Sequence, residues 1–217
     1  MRPFEANRKI FIIPGAEGLT LESSNTLLKT LEEPTPSSIL ILTTSVPENV
    51  LETVLSRCHV IRFYPSALEE LAGELKADLK ISNAEAEFLS SFSEGCKGKA
   101  LQMHEKKVFD RKNSVIDNVI RSNNSEAFFK KVLADKLETK EMLRILLSFF
   151  RDLILVKKTT GGCRLIHADR IRDLEQLSGK YTFKDLDEIL AQIIKASEMS
   201  VENLNVKVAM NLLKARI

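Results

Sequence analysis

The stretch Asn25-Thr-Leu-Leu-Lys-Thr-Leu-Glu-Glu-Pro34, followed by Ser38-Ile-Leu-Ile-Leu-Thr-Thr44 and then by Ser56-Arg57-Cys58, limits what this chain can fold into more than any other feature. Leu27, Leu28 and Leu31 recur at helical spacing, and Pro34 and Pro36 end that helix. The run from Ser38 to Thr44 is apolar throughout, as in a parallel strand covered on both faces. Pro47 suits the first turn of a second helix that carries Val50, Leu51, Val54 and Leu55 inward and ends near Arg57. Helix, buried strand, helix and exposed arginine, in this order, form the second half of a nucleotide-binding α/β domain. Such a strand delivers its polar end, here Thr43 and Thr44, to the edge where ligands bind, so Arg57 is expected near a phosphate site.

Upstream, Ile10 to Ile13 reads as a buried strand stopped by Pro14-Gly15, and Thr20 as the N-cap of the leucine-bearing helix. Downstream, Val60-Ile-Arg-Phe63 reads as a last strand closed by Pro65. Lys29 and Glu32 have two readings: a solvated i, i+3 pair, or contacts to DNA or a neighbouring subunit.

Net charge is only +2, from 32 Lys and Arg against 30 Asp and Glu, so no global attraction to nucleic acid follows. Lys97, Lys99, Lys106, Lys107, Arg111 and Lys112 form one basic cluster, read as a solvated face or as a contact to a DNA backbone. Cys58, Cys96 and Cys163 are far apart and fit free thiols in a reducing cytoplasm rather than a disulfide framework or zinc site. His59, His104 and His167 have no ligand set around them and read as structural or surface residues, so no bound metal is expected. The N-terminus lacks the apolar core of an export signal. Arg151 and Asp152 interrupt the longest apolar stretch, so no membrane span is expected.

Beyond Ser66 the pattern is helical throughout. Leu68, Leu71, Leu75 and Leu79, then Phe88, Leu89 and Phe92, then Ala100, Leu101 and Met103, outline a small helical domain over 66–108. From 109 to 217 a second helical domain has turn signals at Ser122-Asn-Asn124, Thr159-Thr-Gly-Gly162 and Ser178-Gly179. Met142 to Val156 is apolar on almost every face, as in the central helix of a bundle or one buried by a partner. The final segment pairs Leu186, Ile189, Leu190, Ile193 and Ile194 with Val201, Leu204, Val206, Val208, Leu212 and Leu213.

The runs Lys9-Ile-Phe-Ile-Ile13, Asn25–Pro34, Ile41-Leu-Thr-Thr44 and Leu51-Glu-Thr-Val-Leu-Ser-Arg-Cys58 resemble the AAA+ subunits of the bacterial DNA polymerase III clamp loader, best their delta-prime branch. Arg151-Asp-Leu153 and Asn203–Leu213 resemble the C-terminal domain of the same subunits. The resemblance spans nearly the whole chain, more closely up to Phe63 than beyond. It implies a predominantly helical, partial AAA+ architecture: the C-terminal half of the α/β domain at 1–65, an all-α lid at 66–108 and an all-α collar at 109–217.

The same resemblance implies a degenerate ATP site. The Walker B strand of the family ends in Asp-Glu, which hold Mg²⁺ and orient water, whereas Pro14 and Gly15 stand there in this chain. Gly98 replaces the nucleotide-sensing arginine of the lid, and no Gly-x-x-x-x-Gly-Lys-Ser/Thr phosphate loop occurs. The match starts in mid-domain, so a chain lacking the first half of the AAA+ domain is expected. The strand carrying the phosphate loop would lie between the Thr43 and Phe63 strands, so the sheet should be split, with apolar edges exposed.

Function follows as an expectation: a delta-prime-like subunit of the cytoplasmic polymerase III holoenzyme, a nucleotidyltransferase assembly that replicates DNA. It would bind no cofactor itself and would give Arg57, flanked by Ser56 and Cys58, as an arginine finger to the ATP and Mg²⁺ site of a neighbouring subunit. Its partners would be the motor and delta subunits through the collar, where five subunits associate, and the sliding clamp and primed DNA through the complex. Two other readings remain: a motor-type gamma/tau ATPase without its phosphate loop, and a helical DNA-binding or adaptor module.

Overall fold

The computed structural model describes residues 8–35, 37–121, 126–159 and 163–201, and the chain divides into two compact units, 1–64 and 65–217. The expected helix stop at Pro36, the turn signals at 122–124 and 160–162, and the segment from Leu204 to Leu213 lie outside the described residues.

In the first unit β1 (Lys9–Pro14) and β2 (Ser38–Thr43) pair in parallel, with Ile12 opposite Ile41 and Pro14 opposite Thr43. Between them runs α1 (Leu21–Glu32), whose N-cap Thr20 accepts a hydrogen bond from the Ser23 amide at 3.1 Å. Leu27, Leu28 and Leu31 pack, with Leu42, against a small core of Ala16, Val50 and Val54. The strands are not covered on both faces: Ile10, Phe11 and Ile12 are 60%, 53% and 63% exposed. The described sheet has two strands, as the split-sheet expectation requires, and nothing described covers its other face. Val60 to Phe63 corrects the reading as a last strand. It has no ladder partner among the described residues, and Phe63 is 92% exposed.

The helix expected from Pro47 to Arg57 is also corrected. A 3₁₀ turn, Pro47–Asn49, gives way to extended backbone at Val50, and α2 is only Glu52–Leu55. The break turns both Val50 and Val54 into the small core, with Leu51 and Leu55 packed against it.

The second unit is helical: α3 (Leu68–Leu79), α4 (Asn83–Phe92), α5 (Lys97–Glu105), α6 (Val108–Val115) running into a π-helical turn at Ile116–Arg121, α7 (Glu126–Val132), α8 (Lys136–Lys158), α9 (Ile171–Ser178) and α10 (Phe183–Val201). Helix α8 is central. Asp135 caps it through the Leu137 and Glu138 amides, and Met142, Leu143, Ile145, Leu146, Phe149, Phe150 and Leu153 are buried. One continuous core runs from Leu71 on α3 to Ala196 on α10, so the segments 66–108 and 109–217 share it. Gly95 has φ +77°, and a Cβ there would meet the Ser66 carbonyl oxygen at 2.5 Å. The Ser66 amide donates to the Gly95 carbonyl at 3.0 Å, so a bare backbone is what lets the α4–α5 turn close on the chain entering α3.

Candidate functional site

The C-terminal ends of parallel strands are where α/β folds bind ligands. Here β1 ends in Pro14, and Gly15 adopts the left-handed conformation at φ 68°, ψ 49°, leading into the 3₁₀ turn Ala16–Gly18. Neither residue offers a side chain to a cation or to water. The carboxylate that does reach this edge is Glu17, which sequence reading passed over because it lies beyond the strand. Its Oε1 accepts from the Ser45 hydroxyl at 3.1 Å, and hydrogen bonds, first that of the Thr44 hydroxyl, hold its pKa below the ordinary value. Thr44 Oγ1 in turn accepts from the Val46 amide at 3.1 Å. Glu17 is thus committed to bracing the loop after β2.

Arg57 follows α2 and is partly exposed. Its Nη2 lies 2.8 Å from Glu32 Oε1 at the end of α1, and Nη1 donates to the Thr53 carbonyl at 3.0 Å. Ser56 Oγ donates to the same carbonyl at 3.1 Å. The Cys58 thiol packs against the small core, and burial raises its pKa, so it is an anchor rather than a ready nucleophile. The three motif residues therefore divide the work: one side chain anchors, one braces the turn, and the guanidinium sits at the surface. Of the Lys29 and Glu32 pair, Glu32 is engaged with Arg57 and Lys29 is exposed.

A family model described as DNA polymerase III, delta subunit, matches residues 1–67, and one described as DNA polymerase III, delta subunit, C terminal, matches residues 107–213. Across 94% of its length the chain is 25% identical to DNA polymerase III subunit delta' of Bacillus subtilis, and across 92% it is 28% identical to subunit delta' of Haemophilus influenzae. Both family models and both relatives are DNA polymerase III delta-type subunits, and it is these that the chain resembles. It spans 64% and 62% of the length of those two relatives. It is also 24% identical to DNA polymerase III subunit tau of B. subtilis, over 86% of this chain and 36% of that protein. A gamma subunit-related protein from Thermotoga maritima is structurally similar, with a TM-score of 0.44 and 21% identity, over 99% of this chain and 73% of that one.

Gly98 lies in the first turn of α5 with open space around it. The basic cluster does not form one face. Lys97 pairs with Glu74 and Asp78, and Arg111 with Glu141. Lys112, read from sequence as solvated or DNA-facing, is fully buried. Its Nζ is 2.5 Å from Asp169 Oδ2 and lies over the rings of Phe109 and Phe88 at 4.1 and 4.8 Å. Burial lowers its pKa, and Asp169 opposes that shift. The signal was present: Val108, Lys112 and Val115 share one helical stripe and are buried together. Lys106, Lys107, Arg111 and Lys131 instead border a cleft of about 420 Å³ floored by Val115, Phe128, Val132 and Met142.

Of the histidines, His59 is exposed and His104 pairs with Glu85 at 3.0 Å. His167 is buried, and its Nε2 is 2.8 Å from Ser148 Oγ. Since that hydroxyl donates to the Ile145 carbonyl at 2.8 Å, Nε2 carries the proton and donates. Nδ1 has no hydrogen-bond partner among the described residues, and burial, then the charges of Lys112, Arg151 and Arg170, depress the imidazole pKa to about 3. Asp152 bonds the His167 backbone amide, not its ring, so Ser148, His167 and Asp152 are no catalytic relay. No group of three or more metal-ligating side chains occurs among the described residues, and no described helix is long and apolar enough to cross a membrane.

Proposed function

We propose that this chain acts as part of a delta-prime-type subunit of the DNA polymerase III clamp loader, which places a sliding clamp on primed DNA. In this reading the chain does not hydrolyse ATP. Arg57 is the arginine finger for the ATP and Mg²⁺ site of a neighbouring subunit, and helices α6 to α10 form the collar that joins the motor and delta subunits in the cytoplasm. The observation that carries it is a contrast within the first unit. Pro14 and Gly15 stand where a hydrolytic site needs carboxylates, while Arg57 is exposed at the end of α2. A guanidinium is permanently charged and forked, suited to stabilising charge on a transferring γ-phosphoryl group.

Arg57→Ala in the protein carrying this chain at its natural full length, assembled with its loader partners, tests this. ATPase at the site Arg57 serves, stimulated by clamp and DNA, should fall about 10³-fold, the low side of what an arginine finger contributes, while assembly by size exclusion is unchanged. Unchanged ATPase would remove the assignment. A motor-type reading draws on the similarity to tau. It requires Mg-ATP turnover by the subunit alone, which Pro14 and Gly15 oppose. The burial of Lys112 weakens a DNA-binding module built on the basic cluster.

A further inference from the structure

We propose that Glu32 is a positioning residue that holds Arg57 in a folded-back resting place and competes with a neighbouring nucleotide's phosphate for the same guanidinium. This rests on the reading of Arg57 as a finger acting in trans. The guanidinium does not project from the end of α2. Nη1 reaches back to the Thr53 carbonyl one turn earlier at 3.0 Å, and Nη2 to Glu32 on α1 at 2.8 Å. Both contacts use donors that would engage a phosphate, and Glu32 places a negative charge against the fork. A carboxylate and a phosphate cannot share it without repulsion, so engagement in trans requires Glu32 to yield.

The exchange is feasible because the pair is open to solvent, with 39% of the Arg57 side chain and 52% of the Glu32 side chain exposed. Exposed ion pairs contribute little. A phosphate in a water-excluded intersubunit site offers more charge and more acceptors. Glu32 then keeps the finger compact while no nucleotide is present and sets the threshold at which it leaves. Because Glu32 belongs to the Asn25–Pro34 stretch and Arg57 to Ser56–Cys58, this ion pair gives a physical reason for the two motifs to occur together.

The test is ATP dependence in the assembled loader containing the full-length subunit, with clamp and primed DNA. Glu32→Gln keeps shape and a hydrogen-bond acceptor but removes the competing charge. It should lower the ATP concentration for half-maximal rate about two- to fivefold, the equivalent of one exposed ion pair, with maximal rate and thermal stability unchanged. Glu32→Asp should restore the wild-type value. A raised half-maximal concentration, or none of this shift, overturns the proposal, since a purely structural Glu32 would move stability instead. Arg57→Ala separates the two ideas. If Arg57→Ala lowers the rate and Glu32→Gln shifts nothing, the resting-place role alone fails. If Arg57→Ala changes nothing, the finger reading fails and the proposal with it.

Discussion

The buried carboxylate of Asp152 accepts a hydrogen bond from the backbone amide of His167, fifteen residues along the chain, at 2.7 Å. Its other oxygen pairs with Arg151 at 2.8 Å. Burial pushes the Asp152 pKa up, and the His167 amide and Arg151 pull against that. The Arg-Asp pair that interrupts the apolar run of α8 therefore fixes the segment that carries His167 into the core.

His167 should make stability fall with acid. The imidazole has a folded pKa of about 3 against an ordinary value of 6.5, so below pH 6.5 the unfolded chain binds a proton that the folded chain refuses. Stability from this group is complete above pH 6.5 and is lost as pH falls toward 3. Between pH 6.5 and 5 the loss should reach roughly 2 kcal/mol, at no more than about 1.4 kcal/mol per pH unit. Asp152 and Glu141, both raised by burial, act in the opposite sense, so the comparison is wild type against His167→Gln by urea unfolding at both pH values. A steeper loss in wild type is the expected result, and equal slopes would refute it.

Lys112 and Asp169 should be coupled. Lys112→Ala strands a mostly buried carboxylate and opens a hole between Phe88 and Phe109, at a cost of about 3–5 kcal/mol. Lys112→Met with Asp169→Asn keeps the volume and removes both charges, and should recover most of that loss. Chemical denaturation of the two variants checks the cycle.

Gly95→Ala should cost more than an ordinary surface change. It forces a side chain into a positive-φ position and against the Ser66 carbonyl, so about 1–3 kcal/mol is expected. Gly98→Ala, with open space around it in a helix, should stabilise by up to about 1 kcal/mol. Parallel thermal melts of the two variants read the contrast directly.

The open face of the β1–β2 pair predicts uneven protection. Amide exchange in β1 and β2 should be faster than in α8, because two strands with an uncovered apolar face are marginal alone. Ile12→Lys, on the face it shares with Ile41, should alter the unfolding midpoint of the chain little and reduce its self-association, measured by light scattering.

Periodicity made the helices legible, since α1, α3 to α5, α8 and α10 carry apolar residues at helical spacing that packing merely completes. It was less able to place short, broken elements. The split between Pro47–Asn49 and α2 depends on where Val50 must turn, and the isolation of Val60 to Phe63 depends on the absence of a described neighbour, which no local pattern records. Arg57 was legible as a motif, but its bond to Glu32 is a tertiary fact. The burial of Lys112 was readable from its stripe and was masked by the charges around it in sequence. The π-helical turn after α6 has no periodic signature over so few residues.

The continuous core from α3 to α10 carries a mechanical consequence. Close-packed interiors resist compression and pass strain on rather than absorb it. With Phe88 near Phe92 and His167, and α8 packed on α6, α9 and α10, the described helices of the second unit share one core from its early members to its late ones. It should behave as a stiff lever: a push on α3 arrives at α10 as a displacement, not as a dent.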